Sequence, residues 1–106
     1  AFHKLPAGVH CYEVSKDGTL GKKLFMINEG SDGMTVDVKG NLYTTHGGVN
    51  VYNADGKLLE KISVPDGPAN VTFGGDDYKT LFITARTSLY SVRMKNAGAK
   101  PVGAKW

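Results

Sequence analysis

The chain has 106 residues, of which 41% are hydrophobic and 22% are charged, so its composition predicts one folded domain and argues against disorder. Its net charge of +3 comes from scattered lysines without a basic stripe, which argues against a nucleic-acid surface. No apolar run reaches the roughly 18 residues of a membrane span, and no signal peptide is visible, which leaves cytoplasm and periplasm open. The single cysteine, Cys11, excludes an internal disulfide, and its apolar surroundings predict a buried thiol.

The sequence, taken in chain order, predicts nine short strands separated by glycine-rich turns. The turns contain Asp-Gly, Lys-Gly-Asn or Gly-Gly-Asp-Asp, which favour left-handed or Asx-turn conformations between paired strands. The segment GKLLEKIS has a weak helical spacing, but Asp55 and Gly56 before it and Pro65 after it favour a strand. The predicted strands are GVHCYEV, KLFMIN, GMTVDV, NLYTTH, GVNVYN, LLEKISV, NVTFG, TLFITA and SLYSVRM.

These strands recur with a period near 40 residues. Residues 8–45 align with residues 48–84, and a partial third copy covers residues 88–94. Four short strands in a unit of this length are typical of a β-propeller blade. The sequence therefore predicts an all-β fold in which residues 1–106 form one unit of about two propeller blades. Because a closed propeller needs at least four blades, we expect either a part of a longer protein or assembly with copies of itself.

Three stretches resemble one protein family: GSDGMTVDVKGNLYTT, GGVNVYNADGKLLEKISVP and ANVTFGGDDYKTLFITARTSLYSVRM. They are similar to the last third of the senescence marker protein, gluconolactonase and luciferin-regenerating enzyme family, from about Gly8 to Met94. The resemblance implies a six-bladed propeller and a metal-dependent hydrolase, mostly of sugar lactones, with relatives that cleave phosphotriesters. It also implies one divalent cation in the central tunnel, Ca²⁺ in the first place, with Zn²⁺ or Mn²⁺ as alternatives.

The resemblance makes Asp32 the aspartate of the family's Asp-Gly-Met motif. Family members hold the cation with this aspartate, a glutamate of the first blade and asparagines of the middle blades. Asp32 is therefore expected to bind the metal and to act in catalysis as a general base or nucleophile, while Gly33 lets the backbone approach the tunnel axis. The alternative is that Asp32 and Gly33 form a hairpin turn and nothing else.

Three further residues are expected to contact substrate where relatives place pocket residues: Asn70, His46 and Arg86. Asn70 falls on Gly33 in the repeat, and His46 and Arg86 close two strands at matching places. Each has a simpler interpretation. Asn70 caps a turn or strand, His46 is a packed or surface histidine, and Arg86 forms a surface ion pair.

The chain departs from the family pattern at Thr35 and Thr72. Some relatives hold a second, structural calcium with an acidic residue and a histidine at these positions, so this site is not expected here. Tyr12, Tyr52 and Tyr90 recur at equivalent positions and are predicted to pack between blades.

The first prediction is that the chain is the C-terminal portion of a gluconolactonase-like hydrolase. This portion by itself, as a monomer, is expected to be inactive. Its partners are then a small lactone and the remaining blades. The alternative is a non-enzymatic propeller module that binds another molecule or associates with copies of itself, because fold alone does not imply function. The sequence leaves the exact substrate and the metal open, and it predicts neither a nucleic-acid partner nor a membrane partner.

Overall fold

The computed structural model describes residues 2–5, 8–27 and 30–99, which form ten β-strands. Within these ranges no helix is long and apolar enough to cross a membrane. Asn28, the last residue of the predicted strand KLFMIN, lies outside the described residues, as do residues 100–106. The strands are β1 (Phe2–Leu5), β2 (Gly8–Val14), β3 (Leu20–Ile27), β4 (Met34–Val36), β5 (Leu42–Thr45), β6 (Val49–Tyr52), β7 (Leu58–Ile62), β8 (Asn70–Gly74), β9 (Thr80–Ala85) and β10 (Ser88–Arg93).

The ten strands form three antiparallel sheets in which neighbours along the chain are also neighbours in the sheet. The first sheet contains β1–β3, the middle sheet β4–β7 and the last sheet β8–β10. The boundaries of the sheets do not coincide with those of the sequence repeat. Hydrogen bonds between strands define a sheet, whereas a repeat can be counted from any starting residue. The unit 8–45 thus divides its strands between the first and middle sheets. Strand β1 was not predicted from the sequence, because its four residues lack the alternating apolar and polar pattern of a strand.

The middle sheet is packed on both faces. Its central strands, β5 and β6, are buried at every position. One core lies between the middle and last sheets, and a smaller core lies between the first and middle sheets. The larger core contains Tyr43, Val49, Val51, Val71, Phe73, Leu81 and Ile83, and the smaller contains Val9, Ile27, Leu42 and Tyr52.

The first and last sheets are each covered by the middle sheet on one face. In β8, burial alternates from residue to residue, as expected when only one face of a sheet is covered. Leu89 on β10 is 66% exposed. Cys11 is buried, as predicted, while Tyr52 and Tyr90 pack into the two cores.

Asp37 organises the turn between β4 and β5. Its buried carboxylate accepts hydrogen bonds from the Lys39 amide (2.9 Å), from the Asn41 amide and side chain (both 3.0 Å) and from the Tyr43 hydroxyl (2.8 Å). Burial by itself raises the pKa of Asp37, but the hydrogen bonds from Asn41, Tyr43 and Lys39 outweigh it and hold the pKa below its ordinary value. The turn is thereby fixed by a buried charge.

Candidate functional site

A pocket of about 320 Å³ opens at one end of the middle sheet, beside the segment that leads into the last sheet. Met34, at the start of β4, pairs with Thr44, near the end of β5, so the loops flanking these two strands meet at the same end. The surface of the pocket is more polar than apolar. The lining residues come from three loops and from the end of β5, and they are Gly30, Ser31, Asp32, Thr45, His46, Gly47, Gly67 and Pro68.

Ser31 and Thr45 fix the turn that carries Asp32. The Ser31 hydroxyl donates a hydrogen bond to the Gly33 carbonyl (2.5 Å) and accepts one from the Thr45 amide (2.9 Å). The Thr45 hydroxyl accepts a hydrogen bond from the Gly33 amide (3.0 Å). Ser31 and Thr45 are buried, whereas Asp32 between the hydrogen-bonded groups is exposed. The backbone on both sides of Asp32 is held while its carboxylate lies at the pocket surface.

Gly33 is required because Asn70, the first residue of β8, lies directly against it. A Cβ atom at position 33 would be 2.8 Å from the Cα atom of Asn70, closer than real Cβ atoms come to their neighbours. The Asn70 side-chain oxygen accepts a hydrogen bond from the Val71 amide (2.9 Å). Asn70 therefore caps the start of β8 and abuts the turn of Asp32 from the neighbouring sheet.

His46 follows β5 directly and lines the same pocket as Asp32. Its amide donates a hydrogen bond to the Gly48 carbonyl (2.9 Å), and its carbonyl accepts one from the side chain of Asn50 (3.2 Å). Asn50 is buried, whereas His46 is exposed. Gly48 and Asn50 thus fix the backbone of His46 by hydrogen bonds, while its side chain stays exposed.

Arg86 does not join Asp32 and His46 in this pocket, and neither does Asn70. Asn70 instead lines a second pocket, of about 240 Å³, on the last sheet. Arg86 is exposed in the β9–β10 turn with a left-handed φ of 51°, which matches the φ of 65° at Gly47. When the β8–β9 pair is superposed on the β4–β5 pair by strand register, Arg86 takes the position of Gly47 rather than that of His46. The predicted correspondence between His46 and Arg86 is therefore wrong by one residue.

The sequence profile of the SMP-30/gluconolactonase/LRE-like region matches residues 5–87. The chain belongs to this family. A comparison with curated protein sequences gives no match. A solved structure described as a candidate gluconolactonase superposes with a TM-score of 0.75 at 27% identity, covering 90% of this chain and 34% of that protein. A luciferin-regenerating enzyme superposes with a TM-score of 0.66 at 21% identity, covering 79% of this chain and 33% of the enzyme.

The predicted β-propeller fold is confirmed by the stacked antiparallel sheets and by these superpositions. The chain spans about a third of the length of both solved structures. This SMP-30/gluconolactonase/LRE-like chain therefore corresponds to one part of a larger propeller in its relatives.

Asp32 fits a site for a hard cation as one of its oxygen ligands, because Ca²⁺ prefers carboxylate oxygens and Asp32 presents one at a polar pocket. Within the described ranges, no three Asp, Glu, His or Cys residues are grouped so that they could hold a metal ion. Among these residues Asp32 is therefore not joined by a full set of such ligands.

The sequence did not reveal the buried polar residues that support the pocket, namely Ser31, Thr45 and Asn50. Thr45 and Asn50 could have been suspected, since each is a polar residue in a strand whose other residues are suited to burial. Ser31 could not, because its partner Thr45 is 14 residues away and only folding brings the two together.

Proposed function

We propose that this chain supplies the aspartate and part of the pocket wall of a metal-dependent gluconolactonase-like hydrolase that opens sugar lactones. The observation that carries the proposal is the exposed carboxylate of Asp32, held at a polar pocket by a turn with buried hydroxyl supports. Membership of the family supports the same reaction class.

Asp32 has two proposed roles. Its carboxylate would be a ligand of the divalent cation, Ca²⁺ first, and it accepts the proton of the water that attacks the lactone carbonyl. In the alternative, the carboxylate attacks the carbonyl itself, and a water molecule then hydrolyses the resulting anhydride, which releases the hydroxy acid and restores Asp32. A bound cation supplies polarisation of that carbonyl and stabilises the oxyanion. When the ring C–O bond breaks, the ring oxygen leaves as a hydroxyl group after taking up a proton.

His46 is the proposed substrate contact in this chain, because its imidazole lines the same pocket as Asp32. Asn70 and Arg86 stay predictions as substrate contacts. Their positions outside this pocket mean that they would reach a substrate only if it extended beyond the pocket that contains Asp32.

The experiment compares wild type with Asp32→Asn in the assembled protein, meaning this chain together with whatever blades complete the ring. Gluconolactone hydrolysis is followed by acid release at constant pH, with calcium or with a chelator. We expect Asp32→Asn to lower kcat at least about 100-fold, because it removes the proton acceptor and a charged ligand. The chelator should have a comparable effect on wild type.

Asp55→Asn is the matched control, because Asp55 is an exposed turn aspartate away from the pocket. It should retain wild-type activity. Equal rates for wild type and Asp32→Asn would contradict the proposal. We expect the isolated 106-residue chain to show little activity as a monomer, since its described residues bring no three Asp, Glu, His or Cys side chains together for a metal ion.

A second candidate function is a non-enzymatic module that associates with copies of itself or binds another protein. Among the described residues, the first and last sheets have three strands each against four in the middle sheet, and Leu89 is exposed on the last sheet. Open sheet edges favour pairing with another chain. A native mass of two or more chains, together with no calcium effect on stability or hydrolysis, would favour this function over the enzyme.

A further inference from the structure

We propose that Thr45 is the positioning residue that holds the backbone from which Asp32 projects, an inference that rests on the proposed role of Asp32. Thr45 ends β5, and its side chain reaches the loop that precedes β4. It also lines the pocket together with Asp32, so it is the residue through which the rigid middle sheet supports the exposed carboxylate.

Two groups of Thr45, its hydroxyl and its amide, make three hydrogen bonds to the two residues that flank Asp32. The Thr45 hydroxyl accepts the Gly33 amide proton at 3.0 Å, the Thr45 amide donates to the Ser31 hydroxyl at 2.9 Å, and the same amide donates to the Gly33 carbonyl at 3.2 Å. Residues 31 and 33 are therefore both fixed by one residue. The backbone of Gly33 on one side of Asp32 and the side chain of Ser31 on the other are thus held to β5.

The proton of the Thr45 hydroxyl is also committed. The acceptors within reach are the Gly33 carbonyl at 3.3 Å, the Ala69 carbonyl at 3.5 Å and the Ser31 hydroxyl at 3.5 Å. Because the Gly33 carbonyl already accepts the Ser31 hydroxyl and the Thr45 amide, the Ala69 carbonyl has the greater remaining capacity. Ala69 leads into β8, so Thr45 also joins the turn of Asp32 to the last sheet.

Burial makes these contacts hard to replace. Thr45 is 3% exposed and Ser31 is 8% exposed, so water cannot easily take over the bonds of a missing hydroxyl. Side chains that orient a metal ligand change metal affinity without touching the metal, typically by about 10–100-fold. Thr45 is placed to act on Asp32 in this way.

The test uses three variants of the position and its neighbour. Thr45→Val keeps the shape of the side chain and removes its hydroxyl, whereas Thr45→Ser keeps a hydroxyl at position 45. Thr44→Val removes a hydroxyl at the preceding position of β5. Thr44 is equally buried and points to the opposite face of the strand, so it is the matched control.

The first readout is hydrogen exchange of the Gly33 amide, measured by NMR on the 106-residue chain without metal. Thr45→Val should lower the protection of this amide at least about tenfold, because its acceptor is lost. Thr45→Ser and Thr44→Val should leave it within about threefold of wild type. Unchanged protection in Thr45→Val would overturn the proposal.

The second readout is the affinity of the assembled protein for calcium chloride, measured by calorimetry. Thr45→Val should weaken binding at least about tenfold, whereas Thr45→Ser and Thr44→Val should bind as wild type. Loss of binding in Asp32→Asn with wild-type affinity in Thr45→Val would overturn the positioning role and leave the metal site standing. Wild-type affinity in Asp32→Asn would instead overturn the proposed function, and the exchange experiment would still decide the role of Thr45.

Discussion

At the scale of single residues, the chain uses two aspartates in opposite ways. Asp32 is exposed at a pocket, whereas Asp37 is buried and accepts hydrogen bonds from its own turn, from Tyr43 on β5 and from the side chain of Asn96. Asp32 follows the sequence pattern of a turn aspartate, whereas Asp37 lies in the predicted strand GMTVDV, and the sequence predicted a special role only for Asp32, through its resemblance to the family motif. The number of donors around a carboxylate depends on folded geometry, so the structural role of Asp37 was not predictable from the sequence pattern.

Asp37→Asn should lower the free energy of unfolding by about 2–3 kcal/mol at pH 7, because the bonds from the Asn41 and Tyr43 side chains lose a charged acceptor. Denaturation by urea, followed by circular dichroism, measures this change. Asp55→Asn is again the control, since Asp55 is exposed and should change stability by less than about 0.5 kcal/mol.

The effect of Asp37 should depend on pH in a fixed direction. Its pKa is lower in the folded chain than in the unfolded chain, where it is about 3.9, so its ionised form stabilises the fold above that value. This contribution is lost as the pH falls through the folded pKa. The stability difference between wild type and Asp37→Asn should therefore shrink from pH 6 towards pH 2, and a constant difference over this range would contradict the account.

At the scale of strands and sheets, the alternation of apolar runs and glycine turns predicted nearly all of the elements. The segment 58–62 is a strand despite its weak helical spacing, as Gly56 and Pro65 suggested. The division into three sheets was not predictable from the repeat, because it depends on which strands exchange hydrogen bonds. The contact between Gly33 and Asn70 was also hidden, since it joins β8 to the turn before β4 across two sheets.

Gly33→Ala should destabilise the chain by about 1–3 kcal/mol, because its methyl group would overlap both the side chain and the backbone of Asn70. Thermal unfolding measures the loss. Gly30→Ala is the matched control in the same loop, since a Cβ atom there has no neighbour within 4 Å. Equal melting temperatures for Gly33→Ala and Gly30→Ala would show that the two sheets are not pressed together at this point.

At the scale of the whole molecule, the described residues form a four-stranded sheet between two sheets of three strands. It spans about a third of the length of the two solved structures, and the described residues provide one pocket carboxylate rather than a full set of metal ligands. The sequence singled out Asp32 and His46 through the family resemblance, and the structure brings both to one pocket, where their roles stay predictions. The sequence could not show that Asn70 and Arg86 lie outside that pocket, because one residue of register in a turn redirects a side chain.

The most direct test of the central claim is the position of calcium in crystals of the assembled protein grown with calcium chloride, located by anomalous scattering. The account predicts an ion in the pocket that contains Asp32, with a carboxylate oxygen of Asp32 at about 2.3–2.6 Å, and loss of that ion in Asp32→Asn. A pocket without an ion at millimolar calcium, or an ion bound elsewhere with Asp32 making no contact to it, would contradict the assignment of Asp32 as a metal ligand.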